Sequence, residues 1–178
     1  LRLCDGLPRL RYTGNMEVFR QVMRECCVQE GFRVVEWSVQ HNHIHMVCEA
    51  EGKDALTRGM RVINIRLAKR WNKLWRRQGP VFEEPYHVVE LKTPTQVRHA
   101  LVYVLQNASK HGVWRADELD PFSTARVFGG WRDREAEPCE EECPRAEART
   151  WLLREGWKRA RGGRPRVTEQ PRRHSLRP

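Results

Sequence analysis

Residues 38 to 50 read SVQHNHIHMVCEA, and this run restricts the fold more than any other stretch of the chain. Side chains of a β-strand alternate between its two faces. Extended, the run puts His41, His43 and His45 on one face and Asn42, Ile44 and Met46 on the other. The preceding FRVVEWSVQ, 32 to 40, is rich in β-branched and aromatic residues and predicts a strand. The two runs therefore predict an antiparallel hairpin with one polar, imidazole-bearing face. Two histidines two apart hold nitrogens at a spacing one metal ion can bridge, and imidazole is a common metal ligand. A polar strand face hydrogen-bonded to its neighbours accounts for the same pattern, so the histidines alone do not decide.

The stretch after the hairpin narrows the choice. Residues 53 to 78 are strongly helical, with Met60, Ile63, Leu67, Trp71 and Leu74 in one apolar stripe and Arg66, Arg70, Lys73 and Arg77 on another, basic face. A long helix at this point is incompatible with a cupin barrel, although His43, His45 and Glu49 have the His-x-His-x3-Glu spacing of a cupin metal site. Val47 excludes the His-x-His-x-Asp hydrolase pattern. Upstream, LRLC at 1 to 4 reads as a strand stub and 15 to 30 as a helix, with Asn15 as N-cap and Gly31 just past its end. Downstream, YHVVEL, 86 to 91, predicts a strand, and Pro94 opens a helix that runs to about Lys110 and ends at Gly112. The order strand, helix, strand, strand, helix, strand, helix is that of an α+β, ferredoxin-like split β-α-β sandwich: an antiparallel sheet with helices on one side, plus one extra helix.

The extra helix is amphipathic. At 100° per residue, Val97, Leu101, Val104, Leu105 and Ala108 share an apolar sector, and His99, Tyr103, Gln106, Asn107 and Lys110 lie opposite. Tyr103 is thus a phenol on a polar face between His99 and Asn107, a position that ordinary surface tyrosines also occupy.

Charge points to the partner. A net charge of +10 and a pI of about 9.8 favour a polyanion, nucleic acid or an anionic membrane surface. No apolar run approaches the roughly 18 residues of a membrane-spanning helix. No signal peptide is visible, and the start at Leu1 reads as a missing N-terminal stretch. Cys4, Cys26, Cys27, Cys48, Cys139 and Cys143 follow no zinc or disulfide spacing and read as reduced thiols of a cytosolic protein. Past Gly130 the composition changes. The expected division is a catalytic domain over 1–131, an acidic linker over 132–144, a short docking helix over 145–161 using Trp151, Leu152 and Trp157, and a basic, disordered tail over 162–178. Residues 145 to 178 hold eleven Arg or Lys against three Glu.

HNHIHMV and, some sixty residues later, HALVYVLQNASKHG together resemble the single-tyrosine HUH transposases of bacterial insertion sequences, and most of all the REP-associated tyrosine transposases. His43-Ile44-His45 matches the His-hydrophobic-His core, Asn42 the residue often before it, Tyr103 the nucleophile, and Asn107 the amide residue that completes the metal site. The likeness covers residues 1 to about 131, including GLPRLR, LTRGMRVINIRLAKRWN and FEEPYHVVELKTPTQVRHALVYVLQN.

The resemblance implies metal-dependent cleavage and rejoining of single-stranded DNA, as in DNA transposition. Mg²⁺ or Mn²⁺ on His43, His45 and Asn107 would bind the scissile phosphate, and Tyr103 would form a 5′-phosphotyrosine link that conserves the phosphodiester energy. A free phenol has a pKa near 10, so activation is expected, with Lys110, His99 and Glu49 as the nearby candidates. Imidazole ligands suit Mn²⁺ better than Mg²⁺. The expected partners are single-stranded or hairpin DNA, with no membrane, and a second copy of the chain as a homodimer. The expected location is the bacterial cytoplasm, at the nucleoid. The Arg66, Arg70, Lys73, Arg77 stripe and tail residues Arg164 and Arg166 would neutralise phosphates, and Trp75 or Trp114 would stack unpaired bases. GGRPR, 162 to 166, also resembles the Gly-Arg-Pro core of minor-groove AT-hooks. The alternatives are a catalytically inactive or domesticated hairpin-binding protein, and a relaxase or replication initiator, although those are usually larger.

Overall fold

The computed structural model describes residues 1–83, 86–110, 112–138 and 143–171. Its core is a hairpin of β2 (Phe32–Val39) and β3 (Ile44–Ala50), with the short β1 (Val28–Gln29) on the outer edge of β2, all antiparallel. The predicted hairpin is therefore present. Its parity is broken once, by an irregularity between Val34 and Glu36. An extra residue in one strand flips the faces of everything after it. This is why Phe32 and Val34 before the bulge and Trp37 and Val39 after it all enter the same apolar cluster.

That cluster lies under α1 (Thr13–Cys26) and α2 (Lys53–Leu74), which bring Met16, Phe19, Val22 and Met23, and Met60, Ile63, Leu67 and Trp71. Gly59 of α2 is buried against the sheet, where an added Cβ would stand 2.3 Å from the Phe32 ring. The other sheet face carries α3 (Pro94–Leu105), whose Val97, Leu101, Val104 and Leu105 pack with Val47, Phe128, Trp131, Trp157 and Val167. The result is an α+β split sandwich, with the extra helix on the face opposite α1 and α2.

Several boundaries differ from the sequence reading. α1 begins at Thr13, and Asn15 is not its cap but a buried bracket, donating to the Arg9 carbonyl and accepting from Trp75 Nε1. Gly31, at φ +65°, serves the β1–β2 turn rather than the helix end. α2 stops at Leu74, which is 46% exposed. Residues 86–91 form no strand. The stub at 1–4 pairs instead with 81–83, through the Leu3–Phe82 bridge and the Cys4 N–H to Val81 carbonyl bond, and on its other side with His43 through Arg2. The chain leaves α2 through Arg76 and Gly79, both at positive φ, and so reaches this edge five residues before YHVVEL begins.

The C-terminal third is packed onto the domain. Trp37 donates to the Pro144 carbonyl, and Arg145 bonds Glu36 and the Val127 carbonyl. Next come α5 (Trp151–Arg154) and a 3₁₀ turn (Gly156–Arg159), in which Trp157 is buried while Trp151 stays exposed. From Gly162 to Pro171 the chain is held rather than free: Arg98 bonds Glu169 through both its terminal nitrogens and Gly163 through Nε, Gln106 donates to the Val167 carbonyl, and Asp133 accepts from the Val167 N–H. A bidentate ion pair and three buried apolar residues, Pro165, Val167 and Pro171, offset the polar composition that predicted disorder. Cys139, His111 and residues 172–178 lie outside the described residues.

Candidate active site

Strand β3 faces α3 with alternate residues. His45 and Val47 point that way, and Ile44, Met46 and Cys48 point to the α1–α2 layer. His41 lies in the turn before the strand, so the expected triple of imidazoles on one face reduces to His43 and His45. Their rings meet edge to face, 4.7 Å between centroids and 82° between planes. Tyr103, projecting from α3, makes the same contact with His45 at 5.0 Å and 79°. Lys110 places its Nζ 5.0 Å from the Tyr103 ring centroid. The sheet and the extra helix thus bring His43, His45, Tyr103 and Lys110 into one continuous cluster.

Asn42 Oδ1 lies 2.9 Å from His43 Nδ1. An amide oxygen only accepts, so this contact is a hydrogen bond in the tautomer protonated at Nδ1, the one whose Nε2 has a lone pair for a metal. The motif residue before the His-x-His pair therefore favours that tautomer.

The expected single helix from 94 to 110 breaks at Gln106, where φ is −110° and ψ 15°. Gln106 is buried and its side chain is taken by the Val167 carbonyl, so it leaves the polar face assigned to it. The turn α4 (Asn107–Lys110) then carries Asn107 inward. Asn107 is fully buried, and among the described residues neither its amide oxygen nor its nitrogen has a hydrogen-bond partner. A buried polar group without a partner costs roughly 1–3 kcal/mol, which persists where the group has another use. Two imidazoles and an unused amide oxygen fit a divalent ion that prefers mixed nitrogen and oxygen ligands. Among the described residues no group of three or more His, Cys, Asp or Glu could hold a metal, so such an ion depends on the amide. Burial pushes Cys48 up to about 12 and raises Cys26 and Cys27, which keeps these thiols protonated.

Other candidates stand elsewhere. Glu49 is a buried anchor: its oxygens accept from the Arg149 N–H, the Thr150 N–H and the Thr150 hydroxyl at 2.6–2.8 Å. It fastens the segment before α5 to the sheet and does not reach the histidines. His99 lies half-buried one turn before Tyr103. Glu36, unnoticed in the sequence, shares the α3 side of the sheet, and burial raises its carboxyl to about 7 against the opposing pull of Arg145 and Thr124. The α2 stripe lies on the opposite layer, and Glu25 of α1 holds Arg66 at 2.6 Å and Arg70 at 2.7 Å. Arg77 is folded back on Asn72 and the Pro80 carbonyl, and Lys73 is exposed. Trp75 is stacked on Trp71 and bonded to Asn15, so one of its faces and its indole N–H are already engaged. Arg164 and Arg166 flank the buried Pro165 beside α3, and both are exposed.

The family model for IS200-like transposases matches residues 10–107. The chain belongs to the IS200-like transposase family. The matched span begins before α1 and ends at Asn107, so it contains the hairpin, α3 and all four residues His43, His45, Tyr103 and Asn107. No curated protein and no solved structure matches. This transposase-family chain therefore works on DNA, in DNA transposition. Its C-terminal third lies outside the matched span. Among the described residues, no helix is long and apolar enough to cross a membrane.

Proposed function

We propose that the protein cleaves and rejoins single-stranded DNA, with Tyr103 as nucleophile and a divalent metal ion on His43, His45 and Asn107. The observation that carries this reading is the unbroken edge-to-face chain His43–His45–Tyr103, which sets a phenol against a two-imidazole ligand pair across two separate elements. When bound, Mg²⁺ or Mn²⁺ would neutralise a non-bridging phosphate oxygen and polarise phosphorus for in-line attack. Asn42 favours the His43 tautomer whose Nε2 can act as a ligand, and Asn107 offers an uncharged oxygen that spares the site a buried carboxylate. The Tyr103 hydroxyl gives up its proton and attacks, forming a 5′-phosphotyrosine bond as the 3′-oxygen of the preceding nucleotide leaves with a proton. Lys110 supplies positive charge beside the reacting phenol. The reverse attack by a 3′-hydroxyl reseals the strand without ATP. Hairpins formed by palindromic repeats, of the kind the REP-associated enzymes process, are the proposed substrate.

The test is a denaturing gel of the parent chain and Tyr103→Phe with hairpin oligonucleotides and Mn²⁺. The expected result is a metal-dependent covalent adduct that Tyr103→Phe abolishes while its DNA affinity stays within about twofold, since only one hydroxyl is lost. Cleavage that persists in Tyr103→Phe would refute the assignment.

A further inference from the structure

Beside the start of β2 a cavity of about 560 Å³ opens between the sheet and the segment leading into α5, lined by Arg33, Glu147, Ala148, Arg149 and Arg154. We propose that it is a second DNA-contact site, which takes a backbone phosphodiester of the bound strand. The proposal rests on the DNA reading above for the identity of the polyanion, and on the cavity for everything else.

Arg33 is the central group. Its side chain is only 12% exposed, and among the described residues it makes no side-chain hydrogen bond. Its one ionic neighbour there is Glu49 at 3.6 Å, and both Glu49 oxygens are already taken at 2.6–2.8 Å by Arg149 and Thr150. A guanidinium has five N–H donors in a planar fork that matches a carboxylate or phosphate. Here the fork is nearly buried, makes no hydrogen bond among the described residues and is set in the wall of a cavity. Arg149 and Arg154 stand at the same cavity, and among the described residues neither makes a side-chain hydrogen bond or an ion pair within 4 Å. This is unlike the α2 stripe, where Glu25 already satisfies two of the four cations. Three guanidiniums around one cavity with a single lining carboxylate, Glu147, select an anion with several acceptor oxygens.

Position favours the same ligand. Arg33 pairs with Glu49 across the sheet, and Glu49 lies four residues beyond His45 on β3, on the same side. At about 3.3 Å per strand residue this is about 13 Å from the histidines. That distance is about four steps of a stacked strand at a rise of roughly 3.4 Å per nucleotide. A strand held by Tyr103 can reach the cavity without leaving that side of the sheet. Arg149 and Arg154 lie outside the span the family model matches, so the contact belongs to this chain's own C-terminal region.

The test uses the full chain, a labelled oligo-dT strand and anisotropy titrations over a salt series. Each lost phosphate contact lowers the log–log salt slope by about 0.7 for single strands. Arg149→Ala with Arg154→Ala loses that one phosphate contact and is therefore expected to flatten the slope by about 0.7 and weaken binding about fivefold at roughly 0.1 M salt, by the same relation. Glu147→Gln, which removes the opposing charge without changing shape, is expected to tighten binding. A double variant that melts like the parent but keeps its slope and an affinity within about twofold overturns the proposal, as does weaker binding in Glu147→Gln. The parent's metal-dependent adduct separates the two readings. No adduct with an arginine-dependent slope removes the transesterase reading and leaves the phosphate site standing. An adduct with an unchanged slope removes the phosphate site alone.

Discussion

Asn107 offers the sharpest separation of function from stability. Its amide is fully buried, and among the described residues both polar atoms lack a partner. Such an amide destabilises the metal-free fold by roughly 1–3 kcal/mol. Asn107→Ala removes that penalty and leaves a small cavity worth about 1 kcal/mol in the other direction, as for a few buried heavy atoms. The net is a gain of up to about 2 kcal/mol. For a chain of this length 1 kcal/mol moves the melting temperature by roughly 2–4 °C, so the metal-free variant should melt up to about 8 °C above the parent.

Metal reverses the order. A ligand at a hundred times its Kd stabilises a fold by about 2.7 kcal/mol. Saturating Mn²⁺ should therefore raise the parent's melting temperature and leave Asn107→Ala nearly unmoved, while the variant loses the covalent adduct. Differential scanning fluorimetry with and without Mn²⁺, on both proteins, measures all four melting temperatures. A metal-free Asn107→Ala that melts several degrees below the parent would show that the amide is a bonded structural group, and the inference from its vacant valence would fail.

Three further outcomes rest on the packing and charge of the fold. Gly59→Ala drives a methyl group to 2.3 Å from the Phe32 ring, and overpacking of this kind costs roughly 1–3 kcal/mol, so urea unfolding should show a clear loss of stability. Glu36, raised from 4.5 to about 7 by burial, binds its proton more tightly folded than unfolded. The stability it contributes is complete below about pH 4.5 and is lost as pH rises through about 7, a difference on the order of 3 kcal/mol. The gap between parent and Glu36→Gln in urea midpoints at pH 5 and pH 7.5 should change by that order, and a gap independent of pH would show that Glu36 ionises normally. Arg98→Ala breaks a bidentate pair that is 7% exposed on the arginine side and 33% on the glutamate side. It should cost roughly 2–3 kcal/mol, less than the 3–5 of a fully buried pair because Glu169 keeps some water, and it should open the 160–171 segment to limited proteolysis.

How far the sequence carried the fold depends on what each signal measures. The β2–β3 hairpin, α2 and the start of α3 were legible because each rests on a periodicity or a local cap, and Thr93 with Gln96 does form a capping box at the start of α3. The edge pairing of 1–4 with 81–83 was not, and YHVVEL at 86–91 reads as a strand it does not form, because β-propensity reports a preference for extended backbone and says nothing about whether a partner strand lies alongside. The kink at Gln106 was hidden for a related reason. Its side chain is held by the Val167 carbonyl sixty-one residues away, and a helical wheel contains no such term. The same long-range contact misplaced Gln106 on the polar face and concealed the burial of Asn107.

The site was legible to the degree that it is local. His43 and His45 are two apart on one strand, and Tyr103 and Asn107 are four apart near the end of one helix, so each pair could be read from spacing. That the pairs meet depends on which sheet face α3 covers. The bulge at Val34–Glu36 bears on that indirectly, by keeping Phe32, Val34, Trp37 and Val39 together under α1 and α2 and leaving the opposite face for α3. The basic stripe misled in the opposite way. Four cations without an interleaved acid on one helix looked unpaired, yet Glu25 reaches two of them from α1. Arg33, Arg149 and Arg154 are scattered over more than a hundred residues and formed no pattern at all, but Glu49 anchors Arg149 and Thr150 to the sheet and so sets all three around one cavity. In this chain the charges that a run of sequence displays are partly consumed by the fold, and the fold assembles available charge from residues that no run displays.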